Sequence, residues 1–160
     1  MVDCKRVDRP WLQEQMSSLG NQQELAIHSR VKLTHGKVRH IPIIDFTNVL
    51  SADVAIHRMT YITNMLGVPL NLYRSGNSLH GYYHALISKR DWYDYLGSLL
   101  LCNLPDKIAE DVIDSRWVGH SLRQRYSALR WSKHTDTYKE IPTQVFAEHP
   151  AHGHGERLIS

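Results

Sequence analysis

Cysteine is almost absent from this chain of 160 residues: Cys4 and Cys102 are the only two, too far apart in sequence for a metal pair and too few for a disulfide framework. A reducing, cytoplasmic setting is the expectation. Long apolar runs are missing as well. The longest, around Leu96 to Leu104, falls well short of the ~20 residues that cross a bilayer, and the N-terminus mixes charge with a helical polar pattern where a cleavable leader would be apolar. Neither export nor a membrane span is expected. No internal repeat is visible. What remains is an ordinary composition, 42% hydrophobic and 22% charged, in a length that fits one domain with its own core.

The formal charge of +3 is small, but acids are scarce in one segment. Arg116, Arg123, Arg125, Arg130, Lys133 and Lys139 face only Asp136 between residues 116 and 139. Such a segment attracts phosphates, or forms a solvated helix face followed by a basic strand.

Periodicity gives the order of elements. Residues 1–23 read as a helical lead-in with Trp11, Leu12, Met16 and Leu19 spaced to dock on a core, residues 24–146 as the core domain, and 147–160 as a flexible tail containing His149, His152 and His154. Two extended runs, 24–33 and 37–46, meet at Thr34-His35-Gly36 as a hairpin. In the second run Arg39, Ile41, Ile43 and Asp45 share one face and His40, Ile44 and Phe46 the other, with Pro42 marking an edge or bulge. Ser51 caps a helix whose apolar positions are Val54, Ala55, Met59, Ile62, Met65 and Leu66, stopped by Gly67 and Pro69. A strand from Leu70, a turn at Ser75-Gly76-Asn77 and a strand over 78–87 follow. Ser88 and Asp91 open the next helix, with Trp92, Tyr95, Leu96, Leu99 and Leu100 as its stripe, and Asn103-Leu-Pro105 closes it. A short strand or turn at 112–114, a helix, and a strand over 126–131 complete an α+β pattern: a mainly antiparallel sheet with helices on one face.

Three short pieces carry chemistry. Asp45 ends the apolar strand Ile41-Pro-Ile-Ile, where a carboxylate has no packing purpose. His80 shares a strand face with Ser78, Tyr82 and His84. Asp114 ends the apolar couplet Val112-Ile113, and Asp-Ser-Arg-Trp is equally a helix N-cap. Two acids suit a divalent cation, and an imidazole with nearby cations suits the phosphates of a triphosphate.

In that order and spacing the pieces resemble the archaeo-eukaryotic primase superfamily, the primase-polymerases, with their small primase-like proteins of plasmids, phages and defence loci. Ile41 to Phe46 is similar to its first motif, an apolar strand ending in Asp-x-Asp. Ser78-Leu-His80 is similar to its Ser-x-His motif, Ile113-Asp114 to its apolar-Asp motif, and Leu129-Arg130-Trp-Ser to the segment that places a basic residue towards phosphates. The resemblance covers about residues 24–145 and implies a catalytic core related to the RNA-recognition fold. It assigns Mg or Mn to Asp45 and Asp114 and nucleotide phosphates to Ser78, His80 and Arg130, with Lys133 beside them. Apart from the resemblance, the basic segment with Arg116, Arg123 and Arg125 suits single-stranded DNA or RNA, and the interleaved Tyr82, Tyr83, Trp117, Tyr126 and Trp131 either stack its bases or pack as core. The resemblance also admits a protein partner for which this chain is a subunit. One position departs: residue 47, where the family's second acid belongs, is Thr47.

Two expectations follow, a primase-like nucleotidyltransferase and a non-catalytic binder of nucleotide or nucleic acid on the same fold. A relaxase-like nuclease fits poorly, because His80 and His84 would stand ~13 Å apart along a strand, too far to share an ion. A purely structural or interaction protein would show no cleft at Asp45, His80 and Asp114.

Overall fold

The computed structural model describes residues 8–47, 51–104, 111–133 and 141–147. Cys4, Asp136, Lys139 and the three tail histidines lie outside them. Among the described residues there are four helices, α1 (Arg9–Ser17), α2 (Ala52–Leu66), α3 (Lys89–Leu100) and α4 (Ser115–Gln124). The eight strands are β1 (Ala26–His28), β2 (Arg30–Lys32), β3 (Val38–His40), β4 (Ile43–Asp45), β5 (Leu70–Ser75), β6 (Ser78–Tyr83), β7 (Ala128–Arg130) and β8 (Thr143–Ala147). Every strand pairing is antiparallel, so the fold is α+β as the pattern implied.

Local chemistry sets the helix ends. Ser51 accepts a hydrogen bond from the Val54 amide at the start of α2, and Gly67 ends it at φ 66°, a left-handed turn that glycine adopts without steric cost. Ser88 and Asp91 form a reciprocal capping box on α3. Of the stripe expected for α2, Ala55, Met59 and Ile62 are buried but Val54 and Met65 are exposed, since they flank the stripe where the sheet does not reach. Leu100 of α3 is exposed for the same reason. α1 contributes no fully buried residue; Trp11, Leu12, Met16 and Leu19 are half-buried.

The central sheet has the order β4-β6-β5-β8. An antiparallel bridge from Phe46 to Ile113 adds a minimal strand outside β4. Strand, helix, two strands, helix and bridge segment, in spatial order bridge-β4-β6-β5, is the split β-α-β arrangement of ferredoxin-like and RNA-recognition folds. Residues 78–87 are not one strand: β6 stops at Tyr83, and Ile87 bridges separately to His40. His84 therefore leaves the face of His80 and is exposed.

Alternation persists through Pro42, whose ring interrupts the ladder between β3 and β4 while its carbonyl accepts from the Tyr83 amide at 3.0 Å. Ile44 and Phe46 enter the main core with Leu72, Leu79 and Tyr83, against Met59 and Ile62 of α2, Trp92, Tyr95, Leu96 and Leu99 of α3, and Val118 of α4. Tyr95 pins α3 to β4 by donating to the Ile43 carbonyl at 3.1 Å. On the opposite face Ile43, Tyr82 and Leu129 form a second cluster with Ile27, Ile41, Tyr73, Trp117 and Trp131. That cluster is roofed by the β1–β7 pair, which joins positions a hundred residues apart, Ile27 to Leu129.

Gly81 is where the helix face admits no side chain. A Cβ there would meet Phe46 at 3.0 Å, a Leu70 methyl at 3.1 Å and the Ile44 Cβ at 3.3 Å. Gly81→Ala is expected to cost ~1–3 kcal/mol by overpacking, read as a lower denaturant midpoint at unchanged m-value.

Candidate functional site

The site lies on the sheet face turned away from α2 and α3, and strand register builds it. Asp45 on β4 is the direct cross-strand partner of His80 on β6, which in turn is the partner of Tyr73 on β5. Ser78 and Tyr82 flank His80 on the same face, with Ser75 opposite Ser78. His80 Nε2 stands 3.7 Å from Asp45 Oδ1.

The third segment, which bears the second acid Asp114, is tied on through the backbone. The Asp114 amide donates to the Asp45 carbonyl at 3.1 Å, and the Thr47 amide to the Val112 carbonyl at 3.0 Å. Asn103, read from sequence only as part of a helix stop, clamps this segment: its Oδ1 accepts from the amides of Val112 (3.0 Å) and Ile113 (2.9 Å), and its Nδ2 donates to the Ile113 carbonyl at 3.0 Å. Asp114 is also a helix N-cap, Oδ1 accepting from the Arg116 and Trp117 amides. The cap uses one Asp114 oxygen, and the Asp114 charge is felt by Asp45.

Arg130 arrives from β7. Its guanidinium donates to the Ser75 hydroxyl and to the Ser132 carbonyl, an orientation by Ser75 that sequence spacing gave no means of finding. Its charge is felt by both Asp45 and His80.

Electrostatics follow from this packing. Burial, then the charge of Asp114, pushes the Asp45 carboxyl up to about 7, against the opposing pull of Arg130 and the Ser78 hydroxyl. Burial, then the Arg130 charge, pushes His80 down to about 4; the Arg130 main chain acts in the opposite sense. Near neutrality the imidazole is uncharged and the Asp45 carboxyl is at its midpoint, so their contact is not a fixed ion pair. His80 is 6% exposed, and its buried Nδ1 has no hydrogen-bond partner at bonding geometry. The neighbouring Tyr82 hydroxyl is buried without a partner too, and burial raises its pKa, keeping it a donor. Orphaned buried polar atoms are uncommon in proteins, and these two lie on one strand face; Trp92 Nε1 and Ser127 Oγ are the others among the described residues.

The other expected residues are placed differently. Ser78 places its hydroxyl 2.7 Å from the Phe46 carbonyl, where it donates, and also within the influence of the Asp45 carboxyl. Trp131 packs edge-on against Tyr73 (5.2 Å) and Tyr82 (5.8 Å) and is half-buried. Arg116, Arg123 and Arg125 are exposed around α4. Exposed Lys133 lines a separate cleft of ≈ 560 Å³ with Gln13, Met16, Ser17, Ser132 and Ile141, which includes none of Asp45, His80 and Asp114.

The family model for archaeo-eukaryotic primase 1D-like proteins matches residues 4–143. The chain belongs to the archaeo-eukaryotic primase-like family. Comparison with curated proteins and with solved structures finds no match. Within this primase-like chain the three motif segments meet at one end of the sheet, and Arg130 reaches the same face. Among the described residues no helix is long and apolar enough to cross a membrane.

A divalent cation fits this primase-like site only in part. Asp45 and Asp114 bring two carboxylates close enough to repel, which a cation would relieve. Thr47, at the position of the family's second acid, donates its hydroxyl to the Asp111 carbonyl at 2.6 Å. Among the described residues no three His, Cys, Asp or Glu side chains gather around one point. That is a poor cage for a metal alone and a workable one for Mg, which is commonly held by one or two carboxylates with a substrate's phosphates completing its shell.

Proposed function

We propose that this primase-like domain binds a nucleoside triphosphate together with Mg or Mn and acts as a nucleotidyltransferase core on a nucleic-acid strand, within a replication or defence system. The observation that carries the reading is the Asp45–His80 pair, 3.7 Å apart, with the Asp114 segment tied to Asp45 through the backbone and the Arg130 charge bearing on both members of the pair. Asp45 and Asp114 would hold the cation, which when bound neutralises phosphate charge. His80, neutral and buried, offers a hydrogen bond to a phosphate oxygen, and Arg130, steadied by Ser75, offers charge to the same group. Tyr73, Tyr82 and Trp131 wall the site with aromatic surface.

A second reading is favoured by Thr47. With one acid missing and its replacement hydrogen-bonded to the Asp111 carbonyl, the site lacks the charge for two cations, and the domain then binds nucleotide as a partner subunit without chain extension. Calorimetric titration with triphosphate in Mn, followed by primer extension, separates the two. Binding with incorporation that disappears in Asp45→Ala supports the transferase; binding with no incorporation in either metal supports the subunit. Undiminished binding in both His80→Ala and Arg130→Ala would refute the shared site.

A further inference from the structure

A second basic region lies outside the 116–139 segment. From Leu25 to Ile44 there is no acid, twenty residues in a chain that averages one in ten. The same stretch carries Arg30, Lys32, Lys37 and Arg39 with three histidines. It folds as the β2–β3 ribbon, in register Arg30 to His40 and Lys32 to Val38. Arg30, Lys32 and Lys37 are exposed and Arg39 half-buried, and none makes an ion pair among the described residues. Lysines on a short ribbon also keep its edges from pairing with another chain, but charges of either sign serve that end, and here all are positive.

The ribbon is anchored. His40 at its base is buried, stacks on Trp92 of α3 at 4.5 Å, and places Nδ1 3.3 Å from the Ser29 hydroxyl. The Ser29 hydroxyl also accepts from the Ser127 amide at 2.8 Å, joining the ribbon to the start of β7. At that junction the exposed His28 ring stacks on Tyr126, centroids 4.1 Å apart and planes within 25°. Arg30 and Arg125 adjoin this stack in sequence. Burial lowers the His28 pKa from its ordinary value; the Arg30 main chain opposes that shift and the Arg30 charge adds to it. From Tyr126 the chain enters β7 and reaches Arg130, about 13 Å on at strand rise.

We propose that the β2–β3 ribbon and the His28–Tyr126 stack form a docking track for single-stranded nucleic acid, the ribbon cations holding phosphates and the stack receiving an unpaired base. β7 then leads the strand towards Arg130 and the acid–histidine pair. An aromatic platform beside fixed cations is how single strands are held without sequence preference, whereas a duplex offers no free base face. This deepens the nucleic-acid part of the reading above and leaves its nucleotide part untouched.

The test uses the full chain and a labelled oligothymidylate of about fifteen nucleotides, followed by fluorescence anisotropy across a salt series. The triple variant Arg30→Ala/Lys32→Ala/Lys37→Ala, all at exposed positions, is expected to weaken binding at least tenfold and flatten the log–log salt slope by about 2, at ~0.7 for each phosphate no longer neutralised. His28→Ala is expected to weaken oligothymidylate several-fold and leave an abasic strand of equal length unaffected. Triphosphate titration of the same variants should match wild type. Retained affinity and slope in the triple variant would overturn the track while sparing the nucleotide site. Tighter binding of a duplex, or no strand binding by wild type, would overturn it as well, and the triphosphate titration would still report separately on the nucleotide reading.

Discussion

Asp45→Asn is expected to stabilise the metal-free domain at pH 8 and to abolish the metal dependence of triphosphate binding. The carboxyl is held at about 7, above its ordinary value of 3.8, because burial and Asp114 both oppose its charge. An acid whose folded pKa lies above its unfolded one favours folding while protonated. Its contribution is complete below the unfolded value and is lost as pH climbs through the folded value, here between about 4 and 7. At pH 8 wild type therefore carries a buried charge that asparagine lacks. The gain should be on the order of 2–4 kcal/mol by denaturant unfolding, and should vanish at pH 4 where wild type is protonated. Asp114→Asn is the control. Asparagine caps a helix as well as aspartate, so α4 keeps its start, and removing the Asp114 charge should lower the Asp45 midpoint seen by carboxyl carbon NMR. An unmoved midpoint would mean that burial alone sets it. If Asp45→Asn proves less stable than wild type at pH 8, the carboxylate has a compensating partner and the argument for ligand-relieved charge fails.

The second large effect belongs to Asn103→Ala. Three hydrogen bonds hold the 112–113 backbone to this one amide, and Val112 and Ile113 are buried. Truncation leaves two amides and a carbonyl without this partner in a half-buried place, at ~1–3 kcal/mol for each group that water does not then reach. A total loss of ~2–4 kcal/mol is expected, with triphosphate binding weakened beyond what stability explains, because Asp114 loses its fixed position beside Asp45. Asn103→Asp retains the acceptor for both amides and should recover part of the stability. Equal binding by Asn103→Ala and wild type at a temperature where both are folded would separate the clamp from the site.

Much of this was legible in the chain because the signals were local. The Ser51 cap, the Gly67 stop and the Ser88–Asp91 box occupy a few consecutive residues, and each acts within one turn of helix. Alternation from Ile43 to Phe46 put Asp45 opposite the core face without knowledge of any partner strand. What escaped depends on distant pairing. β1 finds β7 and not the run that follows it, the Arg130 guanidinium finds Ser75, and Asn103 finds Val112 nine residues on in sequence; none of these leaves a mark in its own neighbourhood. The same limit explains Val54 and Met65, which keep helical period but meet no opposing layer. It also hid the basic ribbon, whose charges are dilute along the chain and become one surface only when β2 folds back on β3.

The bridge between Phe46 and Ile113 has a practical corollary. Since the peptide N–H of Asp114 is held by the carbonyl of Asp45, that single proton reports on the distance between the two acids from inside the site. Its exchange with deuterated solvent should slow as whatever occupies the space between the carboxylates draws them together, giving a readout of occupancy that needs neither a label nor turnover.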